Sequence, residues 1–354
     1  MINITVATGM QEMGGIATVL NVLNDGFFQK WDMKFVTSHT NKSLFFGANK
    51  LFLFATAVFK LTYLLSFYNV GIVHIHMASR GSYFRKSLFV RLAKLYNAKV
   101  VLHLHGAEFQ NFYVCECNAN KQLRIRQTFN LSDVVIVLSS QWLSWMKTII
   151  DNPSKARVVY NSVSSLEIDR SHAEQGLILF LGRLGKRKGV KDLIDAFSIV
   201  LKDIPHARLA LGGDGDIAEF KHQVASLGIS NNVDFLGWIS GKEKETWLSK
   251  ADIYCLPSYN EGFPMGVIEA MSARVPIVAS TAGGIPDAIE HGLEGLLVQP
   301  GDIDTLASHL QLLIDNRQTN AEFSQSAHLK FGNSFSKKAV FPKLDSIYKE
   351  LLDV

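Results

Sequence analysis

The sequence predicts an α/β protein with two doubly wound parallel sheets, and three observations carry that prediction. Short apolar runs alternate with helix-length stretches from one end of the chain to the other. The runs are rich in Val and Ile and apolar on both faces, as strands covered by helices must be. At 354 residues the chain also exceeds the usual size of a single core. A hydrophobic share of 47% against 19% charged residues supplies that core and excludes a disordered chain.

The strand candidates of the first half are Ile2–Thr8, 34–37, 71–76, 99–105, 133–139 and 157–160. A polar, serine-rich stretch over 161–172 has neither the strand nor the helix period and reads as a linker. The rhythm then resumes with 177–181, 207–211, 233–236, 252–256, 276–280 and 295–298. Between strands lie helix-length stretches such as 190–200. The tail 335–352 spaces Val340, Phe341, Leu344, Ile347, Tyr348, Leu351 and Leu352 as an amphipathic helix would. Cutting at these signals gives domains 1–165 and 166–334 and a terminal helix 335–354. No internal repeat or low-complexity tract is visible.

Residues 1–157 hold 17 Lys+Arg against 7 Asp+Glu, a balance of +10, and the remainder holds 19 against 25, a balance of −6. A basic half with aromatic-rich segments suits an anionic membrane surface or a phosphate-bearing acceptor, whereas no nucleic-acid-reading module is present. Three cysteines, Cys115, Cys117 and Cys255, form neither a disulfide framework nor a zinc pattern. Met1 opens directly into a strand-like run, so a cytoplasmic chain is expected, with a peripheral position at the inner face of the membrane compatible with its charge. The apolar segment 51–68, within a wider stretch 44–68, carries Lys60 at its centre, and a lysine at mid-bilayer costs about 2.5–3.5 kcal/mol on insertion scales. It reads as a buried helix or as one lying on the membrane interface.

Five groups of residues could carry chemistry. Glu261 and Glu269 stand eight positions apart in Glu261-Gly262-Phe263-Pro264-Met265-Gly266-Val267-Ile268-Glu269, a loop running into a helix whose free amides suit a phosphate. Gly182-Arg183-Leu184-Gly185-Lys186-Arg187-Lys188-Gly189 follows a strand, where ligands of open α/β sheets gather, so Arg183 and Lys188 stand where a phosphate binds. Gly212-Gly213-Asp214-Gly215-Asp216 is a tight turn that also has the Asp-x-Asp spacing of a divalent-metal site. The 9–18 loop contains Gly14-Gly15 but lacks Gly-x-Gly-x-x-Gly, which weakens a nicotinamide reading and still allows close approach of a phosphate or sugar. The pairs His74/His76 and His103/His105 fit either metal ligation or structural hydrogen bonding, and Gly106 places His105 at a strand end.

Taken in order, Gly14-Gly15, His105-Gly106, Gly182-Arg183-Leu184 with Lys188-Gly189, Gly213-Asp214-Gly215, and Glu261 with Glu269 resemble the retaining GT-B glycosyltransferases of family four, the glycosyl transferases group 1. Ala282-Gly283-Gly284-Ile285-Pro286-Asp287, Gly295–Val298 and the tail helix extend the resemblance along nearly the whole chain, and surface-polysaccharide enzymes of bacteria are the nearest kind. It implies two Rossmann-like domains facing an interdomain cleft, with the last helix returning to the first domain. It further implies that Arg183 and Lys188 neutralise a donor diphosphate, that Glu269 accepts from ribose hydroxyls and that Glu261 faces the sugar. Gly182, Gly213, Gly262, Phe263, Met265 and Gly266 would line the donor, Trp238 and Ile239 its base, and Gly14, Gly15 and His105 its phosphate and sugar. Pro264, where the family often has glycine, offers no N–H, so the Met265 and Gly266 amides are the expected donors.

The resemblance implies transfer of a hexosyl group from a UDP- or GDP-sugar to a glycan or polyprenyl-diphosphate-linked acceptor. Cations and helix amides would stabilise the leaving phosphate, so neither a metal nor any other cofactor is expected, and the Asp214-x-Asp216 signal loses weight. Two other classes fit less of the pattern: a GT-B scaffold that binds sugar nucleotide or glycan without transfer, and a sugar-nucleotide epimerase of the same architecture.

Overall fold

The computed structural model describes residues 1–12, 14–40 and 48–354, with the side chains of 48–50 left aside. Met13 of the 9–18 loop and residues 44–47 of the apolar segment lie outside the described residues. Two compact units result: Met1–Ser162 together with Lys337–Val354, and Val163–Ser336. Each is an α/β layer structure around one six-stranded sheet in which all strand pairs are parallel.

In the first unit the strands are β1 Ile2–Thr8, β2 Met33–His39, β3 Val70–Met77, β4 Lys99–Leu104, β5 Val134–Val137 and β6 Ala156–Val158. Their order across the sheet is β2-β1-β3-β4-β5-β6, so the chain reverses its direction of travel between β1 and β3. Ile4, Val6, Val73, Ile75, Val100 and Leu102 are fully buried, each adding about 1.5–3 kcal/mol of transfer free energy. The terminal helix Lys337–Leu352 belongs to this unit and buries Val340, Leu344, Ile347 and Tyr348 against it. The Tyr348 ring meets Phe27 and Trp31 edge-on at 5.2 and 5.1 Å, while Trp31 Nε1 donates to Asp345 at 3.1 Å.

The segment 48–67 forms one helix, Ala48–Phe67. Ala57, Leu61, Leu64 and Leu65 turn inward, and Leu51, Phe52, Phe59 and Phe67 stay at least 70% exposed. Among the described residues no helix is long and apolar enough to cross a membrane. Lys60 reaches back to donate to the Phe35 carbonyl at 2.9 Å, which satisfies the charge in place on the surface of the unit.

In the second unit the strands are β7 Leu177–Leu181, β8 Arg208–Gly212, β9 Val233–Gly237, β10 Ile253–Leu256, β11 Ile277–Ser280 and β12 Gly295–Val298. The order β12-β11-β10-β7-β8-β9 is the doubly wound one, with its switch point between β7 and β10. From Val163 onward the polar stretch 161–172 lies on this unit: Val163 bridges to Ser336, and the Leu166 amide donates to Ser272 Oγ at 2.8 Å. Asp252, fully buried, ties the base of the sheet by accepting from the Gly176 amide at 2.9 Å and from Arg317 Nη1 at 2.7 and 2.8 Å.

Candidate functional site

At the switch point of the second unit, the loops leaving the carboxyl ends of β7 and β10 meet. They are brought together by three glycines. Gly189 adopts φ +70, and an added Cβ would lie 2.0 Å from the Pro257 carbonyl oxygen; Gly213 (φ +156) would meet Gly182 O at 1.8 Å; Gly283 (φ +57) would meet Glu261 O at 1.8 Å. No side chain fits at any of these positions, and positive φ adds strain for any other residue. The β7 loop is further fixed through main-chain atoms of the Asp214-x-Asp216 turn, with Leu184 N donating to Asp214 O at 2.6 Å and Asp216 N to Leu184 O at 3.0 Å.

Lys188 and Glu261 form the centre of this region. Lys188 Nζ donates to Glu261 Oε1 at 2.6 Å, and Ser258 Oγ donates to the same oxygen at 2.7 Å. Arg187 Nη1 stands 3.8 Å from Glu261 and donates to Asn260 O at 2.8 Å. Glu261 is only 5% exposed, so the pair is largely out of water. Gly182 lies alongside, with its Cβ position 3.8 Å from Lys188 Nζ. Arg183, by contrast, is exposed and makes no ion pair among the described residues.

Pro264 stands just ahead of the helix Met265–Ser272 in an extended conformation (φ −76, ψ 123), and no side chain caps that end. The first-turn amides of Met265, Gly266 and Val267 are therefore without helical partners, as at any uncapped helix start. Gly266 has a second reason to be glycine: its Cβ would fall 2.1 Å from the Tyr254 hydroxyl, which bonds to Leu181 O at 3.3 Å. Tyr254 holds its proton well above the ordinary phenol range, because it is buried and faces Glu269 and Glu261. Gly262 and Phe263 are buried, and the Phe263 ring packs on Phe335 at 5.1 Å, so this side chain anchors the loop and only its backbone can serve a ligand.

Glu269, 7% exposed, is not joined to Lys188; it accepts from Lys244 Nζ at 2.6 Å. Trp238 is 43% exposed after β9, whereas Ile239 is buried and packs within 3.3 Å of the Gly212 Cβ position. Gly213 closes against the end of β9 by donating to Gly237 O at 2.7 Å.

The remaining candidates lie in the first unit. Gly14 (φ +129) and Gly15 begin the helix Gly15–Asn24 after β1, with open space at both Cβ positions. His105 follows β4, and its Nε2 bonds to His76 Nδ1 at 2.9 Å. His74 Nδ1 meets the Tyr348 hydroxyl at 2.8 Å and its Nε2 meets His103 Nδ1 at 3.2 Å. His74, His76 and His103 have ring nitrogens within 4.8 Å of one another, close enough to surround an ion; both nitrogens of His74 are hydrogen-bonded, whereas His76 Nε2 and His103 Nε2 have no partner among the described residues. Burial pushes the imidazoles down, His74 and His105 to about 3, and the four rings stack as neutral bases.

Several residues of these constellations carry no motif signal. Ser258 and Lys244 emerge only when the loops fold together, and Arg187, inside the 182–189 run, gains its place beside Glu261 only there. Lys86 had one: it occupies the apolar stripe Tyr83, Lys86, Phe89, Val90 and Ala93 of the helix Gly81–Leu95, all of them buried.

Residues 166–330 match the family model described as glycosyl transferases group 1. The N-acetyl-α-D-glucosaminyl L-malate synthase of Bacillus anthracis is 24% identical over 299 residues, covering 80% of this chain and 76% of the relative. The D-inositol 3-phosphate glycosyltransferase of Corynebacterium efficiens is 30% identical over 212 residues, covering 56% and 50%. At this 30% level of identity the chain spans about half the length of such relatives or less. Among solved structures, HepE of Anabaena in complex with UDP superposes with a TM-score of 0.79 at 18% identity, over 99% of this chain and all of the other. Residues 166–330 therefore carry the glycosyl transferases group 1 domain, and the chain has the two Rossmann-like domains of the GT-B fold.

Proposed function

We propose that the chain is a retaining glycosyltransferase that moves a sugar from a nucleoside diphosphate to a glycan or polyprenyl-diphosphate-linked acceptor in surface-polysaccharide assembly, without a metal. The observation that carries this reading is the Lys188–Glu261 pair at the carboxyl ends of β7 and β10, beside the uncapped start of Met265–Ser272. An ammonium and free helix amides suit a diphosphate, and their charge is in place before the leaving group develops its own. Two similar proteins bear on the ligands: HepE of Anabaena is described with UDP and with UDP-glucose. The amylovoran biosynthesis glycosyltransferase of Erwinia amylovora is 26% identical over 288 residues.

The roles follow from the bonds already made. Glu261 Oε1 is engaged by Lys188 and Ser258, which makes that oxygen a poor nucleophile and base, so Glu261 orients Lys188 and faces the sugar. Glu269 serves the ribose, Trp238 the base, and Arg183 supplies a second, exposed cation. The C1–O bond to the phosphate breaks as the acceptor oxygen bonds to C1 on the same face. The acceptor proton passes to the departing phosphate oxygen. Gly14, Gly15 and His105 are assigned to the donor's phosphate and sugar by the resemblance alone.

The exposed aromatic face of Ala48–Phe67 supports a peripheral position on an anionic membrane, tested by co-sedimentation with anionic vesicles before and after Phe52→Ser and Phe59→Ser. For catalysis, the test is sugar transfer from a panel of UDP- and GDP-sugars by folded Lys188→Met and Glu261→Gln variants. Losses of about 100-fold or more are expected for a group that stabilises developing charge. Transfer at the parental rate in both variants would remove the site assignment, and nucleotide binding without transfer under any acceptor would favour a binding protein.

A further inference from the structure

A cavity of about 320 Å³ opens at the switch point of the first sheet, beside the Gly14-Gly15 turn. Its walls include Thr8, Gly14, Ser82, His76, Arg85 and Lys86. We propose that this cavity holds an oxyanion, a phosphate or a carboxylate carried by the acceptor. The inference rests on the glycosyl-transfer reading for the word acceptor, and on the cavity itself for the anion.

Lys86 carries most of the weight. It is 3% exposed within an otherwise apolar helix stripe, a position where methionine or leucine would pack without desolvating a charge. Its Nζ donates to Ser38 Oγ, whose own proton goes to the Ala7 carbonyl at 2.9 Å. Among the described residues Nζ has no second acceptor, which leaves two of the three ammonium donors over. Arg85 lies next to it with Nε buried and unpartnered, and among the described residues no carboxylate pairs with either cation. Burial and the Arg85 charge hold the Lys86 amine well below its ordinary value, so the free site lacks the countercharge that an arriving anion supplies. His76, 1% exposed and lining the same cavity, has an Nε2 without a partner.

The backbone adds to this. The helices Gly15–Asn24 and Gly81–Leu95 both start at the cavity wall, and neither has a side-chain cap. Their first-turn amides and dipoles favour negative charge. The one acid on the wall, Glu12, is held by the Thr40 hydroxyl. Beyond an oxyanion the volume leaves room for the hydroxylated group that bears it, with Thr8 and Ser82 as polar wall residues. Two relatives are named for L-malate and for D-inositol 3-phosphate, compounds that bear such groups.

The test is calorimetric titration of the full chain at low ionic strength with glycerol 3-phosphate, with L-malate and with UDP, for the parent, Lys86→Met and Arg85→Gln. The parent should bind at least one of the two small anions, and which one distinguishes phosphate from carboxylate. Lys86→Met should weaken that anion about tenfold or more, the worth of one charge-assisted hydrogen bond. UDP affinity should stay within about twofold if the sites are independent. Failure of both anions to bind the parent overturns the proposal, as does parental anion affinity in both variants. Equal weakening of UDP and anion also overturns it, because the cavity then receives the donor's diphosphate. If Lys86→Met does not fold, Arg85→Gln decides. Anion binding that survives in a protein with no affinity for any nucleotide leaves the cavity assignment standing and removes the glycosyl-transfer reading.

Discussion

Lowering the pH should destabilise the first unit steeply, because four stacked imidazoles are buried there in the neutral state. His74 and His105 are held at about 3 in the folded protein against an ordinary 6.5, chiefly by burial. A base whose folded value is depressed contributes stability that is intact above 6.5 and is lost as the pH falls, because the unfolded chain takes up protons that the fold refuses. Between about pH 7.5 and 5.5 each such histidine costs about 1.4 kcal/mol, so this pair costs about 3 kcal/mol. His76 and His103 are shifted the same way and deepen the loss. A domain stable by about 5–15 kcal/mol feels this strongly. Urea unfolding at the two pH values, followed by near-UV circular dichroism, reads it directly. His103→Asn, which keeps a donor at the centre of the stack without a titrating base, should remove part of the slope. A parental slope near zero, or a His103→Asn slope equal to the parent's, would refute the neutral stack.

Three further outcomes follow from particular contacts. Gly283→Ala should cost far more stability than Gly292→Ala: both glycines have positive φ, worth about 1–3 kcal/mol of strain, but only Gly283 also drives its Cβ into the Glu261 carbonyl. Equal melting temperatures for the two variants contradict this. Lys188→Met leaves Glu261 buried without its closest cation while Ser258 still donates, so it should lower stability by about 3 kcal/mol as well as activity, and the double variant with Glu261→Gln should recover part of that stability. A thermal melt in which the double variant is the sum of the singles rules the coupling out. Arg317→Leu removes both Asp252 contacts at the base of the second sheet and should cost about 1–3 kcal/mol while leaving UDP affinity unchanged; a large loss of affinity is the contrary result.

The sheets were legible because parallel strands buried on both faces leave a continuous apolar signature. The twelve strands of the described residues fall where short Val- and Ile-rich runs stand, with ends displaced by a residue or two. The ends moved where a strand stops by topology rather than composition: Gly212 still pairs with Leu181, whereas apolar patterning gives no reason to include it. Site glycines such as Gly213 and Gly283 were visible as residue types, but their necessity depends on carbonyls more than twenty positions away. Long-range partners were not legible. Nothing near Glu261 in sequence announces Lys188, 73 positions earlier, and Lys244 shows no pattern that ties it to Glu269. Lys86 shows the opposite case: its misfit in an apolar helical stripe is visible in sequence, and only the surrounding fold turns that misfit into a cavity wall.

The most direct measurement is the anomeric configuration of the product. With a UDP- or GDP-α-sugar and an acceptor that supports turnover, NMR of the newly formed glycoside should show the α-anomer, since attack and departure share one face and Glu261 takes no covalent part. A β-linked product means in-line displacement from the opposite face, and with it the proposed roles of Lys188 and Glu261 fall.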